Sequence, residues 1–208
     1  MSHFFSPVLV PSLLRRWSVL ALLLCSIALP AQAEKADRYK KMEVESDQPG
    51  KVDLQNQVVV FNGNVVVSKG TMVIRAGRIE VRETPDGYHL ATATGAPGQL
   101  ATFRQKRDGV DEHIEGEAER LEYDSKADTI RFSGKASVKR LRGTAVADEV
   151  TGAQITYDNT AELFTVAGGA AAATPTNPTG RVRAVLSPRQ DSPAAAEAAS
   201  AVPPGARR

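Results

Sequence analysis

His113 follows Asp111 and Glu112 directly, the one place where an imidazole and carboxylates could share a metal ion or a proton. Beyond residue 33 the only other histidine is His89, and no HxxxH, HxH or neighbouring cysteine completes a set with metal-ligand spacing. Charge runs beside turns are ordinarily solvated, so a hairpin tip centred on Asp108-Gly109 is the simpler reading of residues 106–113. The acidic run from Glu112 to Glu122 could supply paired carboxylates for glycoside hydrolysis. On a strand, however, Glu115, Glu117 and Glu119 share an outward face with Ile114 and Leu121 turned inward, which reads as a salt-laced surface. The sequence has neither a GxSxG elbow nor a phosphate-binding P-loop. Cys25 is the single cysteine. The pattern therefore points to no enzyme, no metal and no cofactor.

Basic residues fall in two clusters, Arg104-Gln105-Lys106-Arg107 and Lys135/Lys139/Arg140/Arg142. Either could meet phosphates of a lipid head group, although a solvated face or tip is the simpler reading. Net charge argues against nucleic acid. Of the 26 basic and 24 acidic residues, only Arg15 and Arg16 lie in residues 1–33, which leaves 24 of each sign beyond them. Residues 1–33 read as a secretory signal: paired arginines, an apolar run over residues 17–29, and Ala31-Gln32-Ala33 as a small-x-small cleavage site. Cleavage after about Ala33 implies export to the periplasm and removes Cys25, so no disulfide can brace what remains.

The elements that would position any site come from an internal repeat. Residues 123–134, Tyr-Asp-Ser-Lys-Ala-Asp-Thr-Ile-Arg-Phe-Ser-Gly, return at 157–168 as Tyr-Asp-Asn-Thr-Ala-Glu-Leu-Phe-Thr-Val-Ala-Gly. A weaker copy places Val52-Asp53 on Tyr123-Asp124 and residues 59–63 on 130–134. Each copy reads as a strand, a turn begun by aspartate, an alternating strand, and a glycine where the strand bends. Residues 118–123 also align with 76–81 and 152–157, which favours strand over the helical propensity of the Glu/Ala run. The expectation is an all-β domain of antiparallel short strands over residues 34–190, closed by a strand at 181–186. A disordered Ala/Pro-rich tail would follow at 191–208.

Alternation assigns the dry face. Val59, Phe61, Val65 and Val67 share it through the bend at Asn62-Gly63-Asn64, as do Met72, Ile74, Ile79 and Val81 on the next stretch. Phe103, Leu121, Tyr123, Ile130, Phe132 and Val138 extend it, followed by Ile155, Tyr157, Phe164 and Val166. A filled sandwich core and a groove for an apolar ligand give the same periodicity, so the pattern alone leaves both open. The first and last strands, with Met42 and Val44 at one end and Val182, Val185 and Leu186 at the other, are candidate edges. Their charges serve either as guards or as flanks of strand addition to another subunit.

Several short stretches fall in order along the chain: Val44-Glu45-Ser46-Asp47, Phe61-Asn62-Gly63-Asn64-Val65, Gly98-Gln99-Leu100-Ala101-Thr102-Phe103, Ile114-Glu115-Gly116, Ile155-Thr156-Tyr157 and Arg181-Val182-Arg183-Ala184-Val185-Leu186-Ser187-Pro188. Together they resemble the OstA-like, LptA-type family of periplasmic lipopolysaccharide-transport proteins, over residues 42–188. The Ala-rich stretch 168–180 and the long tail depart from that pattern. The resemblance implies a twisted open β-jelly roll whose sheets diverge around a hydrophobic groove, with the fourteen dry-face residues from Val59 to Val138 as its lipid-binding lining. It further implies shielding of lipid A acyl chains, end-to-end self-association through edge strands, and links to inner-membrane LptC-type and outer-membrane LptD-type partners. No cofactor is implied. A structural β-module or LptC-like adaptor that carries no lipid is the alternative.

Overall fold

The computed structural model describes residues 37, 39–173, 175, 177–188 and 192–201; the expected signal segment lies outside them. Twelve strands form one continuous antiparallel sheet, and their pairing resolves it into eight consecutive passes. The first pass is β1 (Glu43–Glu45) with β2 (Lys51–Asp53). The second and third are the single strands β3 (Val58–Lys69) and β4 (Met72–Glu83). The fourth joins β5 (His89–Thr94) to β6 (Ala101–Lys106), and the fifth joins β7 (Glu112–Ala118) to β8 (Arg120–Asp124). The sixth and seventh are again single strands, β9 (Thr129–Arg142) and β10 (Ala145–Asp158). The eighth is β11 (Leu163–Ala167) with β12 (Arg183–Leu186).

Every pass turns a corner at its middle. On one side of the corners lie β2, the first half of β3, the second half of β4, β5, β8, the first half of β9, the second half of β10, and β11, each paired with the next. We term this the first leaf. The second leaf comprises β1, β6, β7, β12 and the remaining halves of the four long strands, again in chain order. The result is a simple up-and-down meander folded over along a line of corners, with strands that change sheet at bends. The expected all-β jelly-roll class is present, but four strands run 12 to 14 residues where short ones were expected, because the bends do not interrupt pairing.

The sequence repeat marks both ends of this geometry. Asp53, Asp124 and Asp158 each accept a hydrogen bond from the backbone N–H three residues on, at 3.0, 3.1 and 2.8 Å. Four residues after each aspartate stands a left-handed residue, Gln57, Asp128 and Glu162, with φ of 54, 53 and 52°. All three turns belong to the first leaf. At the corners, Gly63-Asn64 and Gly134-Lys135 take positive φ in succession, and each pair opposes a single residue of the neighbouring strand, Gly77 and Ala153. These are bulges that redirect the strand. Gly168, expected to bend a strand, instead lies just past the end of β11; the corner of β10 is at Gly152-Ala153.

The Ala-rich departure from the family pattern is a loop closed at its base, where the Gly169 N–H donates to the Gly180 carbonyl at 2.9 Å. The eighth pass therefore continues from β11 to β12 with the excursion set aside. In the tail expected to lack order, the structure has a helix, α1 (Pro193–Ala201). Proline stands at its first position and the Ser192 hydroxyl accepts from the Ala195 N–H, while alanine fills most of its length.

Candidate functional site

The inner faces of the leaves meet in one contiguous apolar cluster. Of the fourteen residues expected on the dry face, Val65, Val67, Met72, Ile74, Ile79, Val81, Phe103, Leu121, Tyr123, Ile130, Phe132 and Val138 are buried in it, and Val59 and Phe61 pack against it half-buried. Phe132 of the first leaf is 0% exposed and meets Phe103 of the second edge to face, with ring centroids 5.7 Å apart. Ile114 is buried as its inward parity implies, but sequence reasoning missed a series of alanines on the same face, among them Ala91, Ala93, Ala101, Ala118 and Ala136. Their alternation with polar residues was legible, but alanine carries little hydrophobic signal by itself. The pass through Glu119 also breaks strict alternation, so Leu121 faces inward although it shares parity with Glu115 and Glu117.

Both ends of the stack of passes leave the interior unsealed. At the first end Met42, Val44, Val59 and Phe61 are only partly covered; at the last end the same holds for Val150, Phe164 and Val166. Each end also presents two edge strands, β1 and β2 or β11 and β12, whose outer backbone groups pair with no other strand among the described residues. The expected edge residues thus divide by role. Met42 and Val44 turn toward the interior, whereas Val182, Val185 and Leu186 are exposed, Leu186 at 73%, and Val182 precedes the strand. Of the second-leaf edges, β1 carries exposed Glu43 and Glu45 and β12 lies beside exposed Arg181 and carries exposed Arg183, whereas β2 carries both signs, Lys51 and Asp53, and β11 none.

Opposite the corners the leaves come together at a mouth, and there the inner face turns polar. Glu112 accepts from Arg142 at 2.8 Å and from Arg140 at 3.2 Å, and is ion-paired with Arg107. Arg140 donates also to Asp148, at 2.7 Å from Nε. Arg107, on the second leaf, crosses to Glu162 in the β10–β11 turn of the first leaf at 2.5 Å. A second crossing joins Lys69 of the second leaf to the Tyr123 hydroxyl at 3.3 Å, with Lys69 only 5% exposed. Burial raises the Glu112 pKa, but hydrogen bonds from Arg142 and Arg107 outweigh it and hold the carboxyl below its ordinary value. Burial likewise lowers the Arg107 and Arg140 pKa, and their carboxylates more than restore them. Tyr157, on the inner face nearby, is pushed up to about 12 by burial first and by Glu162 second, so it stays neutral.

This network revises two expectations. The tip around His113 is not simply solvated, since Glu112 is largely enclosed by arginines. The two basic clusters do not act as units. Arg104 and Lys139 point outward to Glu115 and Glu149, whereas Arg107, Arg140 and Arg142 converge inside on Glu112. Strand parity carried the signal: Lys69 follows Val65 and Val67, and Arg140 and Arg142 follow Ala136 and Val138, each at steps of two. Glu115 does form part of a salt-laced outer face, and such exposed pairs contribute little stability. Among the described residues no group of three or more His, Cys, Asp and Glu is arranged to hold a metal ion. No helix among them is long and apolar enough to cross a membrane.

Residues 43–163 match the family model described as LptA/(LptD N-terminal domain) LPS transport protein. The chain is similar to the lipopolysaccharide export system protein LptA of Escherichia coli (strain K12), 34% identical over 110 residues, covering 53% of this chain and 58% of that protein. The Shigella flexneri protein of the same name matches to the same extent. The chain thus spans somewhat over half the length of the curated relatives it matches. Its fold is similar to the crystal structure of LptH, the LptA homologous periplasmic component of the lipopolysaccharide transport device of Pseudomonas aeruginosa. That likeness has a TM-score of 0.61 at 22% identity and covers 74% of this chain and 99% of LptH.

Proposed function

Because the chain belongs to the LptA/(LptD N-terminal domain) LPS transport protein family, we propose that it is a periplasmic carrier of lipopolysaccharide. In this reading the acyl chains of lipid A lie between the two leaves, and copies stack end to end to bridge an inner-membrane LptC-type and an outer-membrane LptD-type protein. The observation that carries it is the interior itself: apolar along all eight passes and unsealed at both ends, beside edge strands unpaired among the described residues, of which β1 carries exposed glutamates and β12 an exposed arginine. Adding β12 of one copy to β1 of the next would continue the second leaf, and β11 with β2 the first. The apolar lining would then run on from copy to copy.

In the ligand-free chain the leaves fill the interior with each other's side chains. Acyl chains would replace these contacts as the leaves part about the glycine corners. Each buried methylene is worth about 0.8 kcal/mol whether it belongs to protein or cargo, so the exchange is close to balanced. A carrier needs that balance, since a tight site would not release its load. Phe61→Asp, Ile74→Asp and Phe132→Asp should each abolish co-purification of lipopolysaccharide. A folded variant that retains the lipid at the level of the unaltered protein sinks the assignment.

A further inference from the structure

The network at the mouth plays no part in holding apolar chains, yet it lies on their inner face. Lys69, Arg107 and the pair Arg140/Arg142 sit on the rim of the second leaf at the second, fourth and sixth passes. Neighbours are two strands apart, about 9–10 Å at ordinary strand spacing. On that rim Lys69, Arg107, Arg140 and Arg142 stand with the carboxylates Glu112 and Asp148, and Asp108 lies near enough to act on the inward Tyr157. The carboxylate that reaches Arg107 from the opposite leaf is Glu162. Any parting of the leaves pulls Glu162 off Arg107 and takes Tyr123 from Lys69. Arg107 then turns guanidinium donors without a first-leaf carboxylate toward the opening, beside Arg140 and Arg142 and one strand step from the apolar positions Ile114 and Val138. Guanidinium forks match phosphate oxygens in pairs, and such charge-assisted bonds are the strong ones.

We propose that this rim is a phosphate-binding site, at which a phosphate monoester on the head group of a lipid takes the place of Glu162 on Arg107 and is shared with Arg140. The lipid's acyl chains lie between the leaves while its polar part leaves through the mouth. The proposal rests on the lipid-carrier reading and adds to it the chemistry that holds the head group and the contact it displaces. Loading and unclasping become one event: the anion that enters supplies the charge that the closed form draws from Glu162.

The test measures binding of the purified protein to lipid A carrying its phosphates and to the same lipid after dephosphorylation, with inorganic phosphate as a third ligand. The unaltered protein should prefer the phosphorylated lipid by roughly tenfold or more, the scale of one or two charge-assisted hydrogen bonds. Arg107→Ala/Arg140→Ala should remove that preference, while the dephosphorylated lipid, no longer opposed by the Arg107–Glu162 contact, binds at least as tightly as it does to the unaltered protein. Glu162→Gln, in an exposed turn where folding is not at stake, should tighten both lipids alike, since the contact that opening breaks is gone for either, and should keep the preference for the phosphorylated one. Equal affinity of the unaltered protein for both lipids, or a Glu162→Gln variant without effect, overturns the rim site while leaving the carrier reading intact. Inorganic phosphate binding to lipid-free protein with the same dependence on Arg107 reassigns the rim to free phosphate and overturns the lipid assignment. Binding of neither lipid overturns the carrier reading and the rim with it.

Discussion

Phe132→Ala separates the two demands on the interior, because it should weaken the fold and strengthen lipid uptake at once. The ring is fully buried, and it packs edge to face on Phe103 across the leaves. A Cβ added at Gly116 would run into this ring, so the space around it is filled from the second leaf as well. Removing a buried phenyl group costs about 3–5 kcal/mol when the site cannot collapse. About 0.5–1.5 kcal/mol of that belongs to the ring pair, so Phe103→Ala/Phe132→Ala should cost less than the sum of the two single changes by that amount. Urea unfolding followed by tryptophan-independent circular dichroism gives the loss as a lower midpoint at unchanged slope. The cavity opens where an acyl chain is to lie, so a fluorescent fatty-acid probe should bind the variant more tightly than the unaltered protein. A loss below about 1 kcal/mol would show that the leaves are not packed on each other there, and weaker probe binding would show that the space is not one an acyl chain uses.

The Glu112 carboxyl is held below its ordinary value of 4.5, so its contribution to stability is complete above 4.5 and disappears as pH falls through the lower folded value. Acid unfolding profiles should therefore steepen below pH 4.5, and Glu112→Gln should flatten that dependence while lowering stability at neutral pH; a profile identical to that of the unaltered protein would remove Glu112 from the network. Deleting residues 181–186 takes away β12 with Arg181 and Arg183, and should shift concentration-dependent oligomers toward monomer in sedimentation velocity. Oligomers of unchanged size after that deletion would exclude this edge from the contact.

Much of the fold was legible because the chain repeats its own corner. The Asp-initiated turn and the glycine two residues past the apolar pair appear in the sequence at 53–63 and 124–134, and the structure gives the two copies matching φ values. The dry face was legible too, since steps of two from Val65 or Ile130 lead through the core. What escaped was the joining of short runs into long strands. Residues 136–138 and 146–150 look like separate strands because bulges at Gly134-Lys135 and near Ala147 interrupt alternation without interrupting pairing. The polar mouth escaped for a different reason. Charged residues read as solvent-facing by type, but Lys69, Glu112, Arg140 and Arg142 obey strand parity and face inward where partners from other passes satisfy them. Arg107 is only five residues from Glu112 and Asp148 eight from Arg140, but the other partners are 28 to 54 residues away in sequence, and no local pattern announces those. The α1 helix shows the converse, a local cap and helix-forming composition in a segment whose low apolar content reads as disorder.

Site-specific photo-crosslinking in the cell envelope tests the central claim most directly. A photoreactive residue placed at inward Phe61, Ile74 or Phe132 should capture lipopolysaccharide, and one at outward Arg131, Lys139 or Glu117 should not. Alternating capture along β9, present at Phe132 and absent at Arg131, is the signature of chains lying between the leaves. Capture that is uniform along the strand, or confined to the outward positions, contradicts the account.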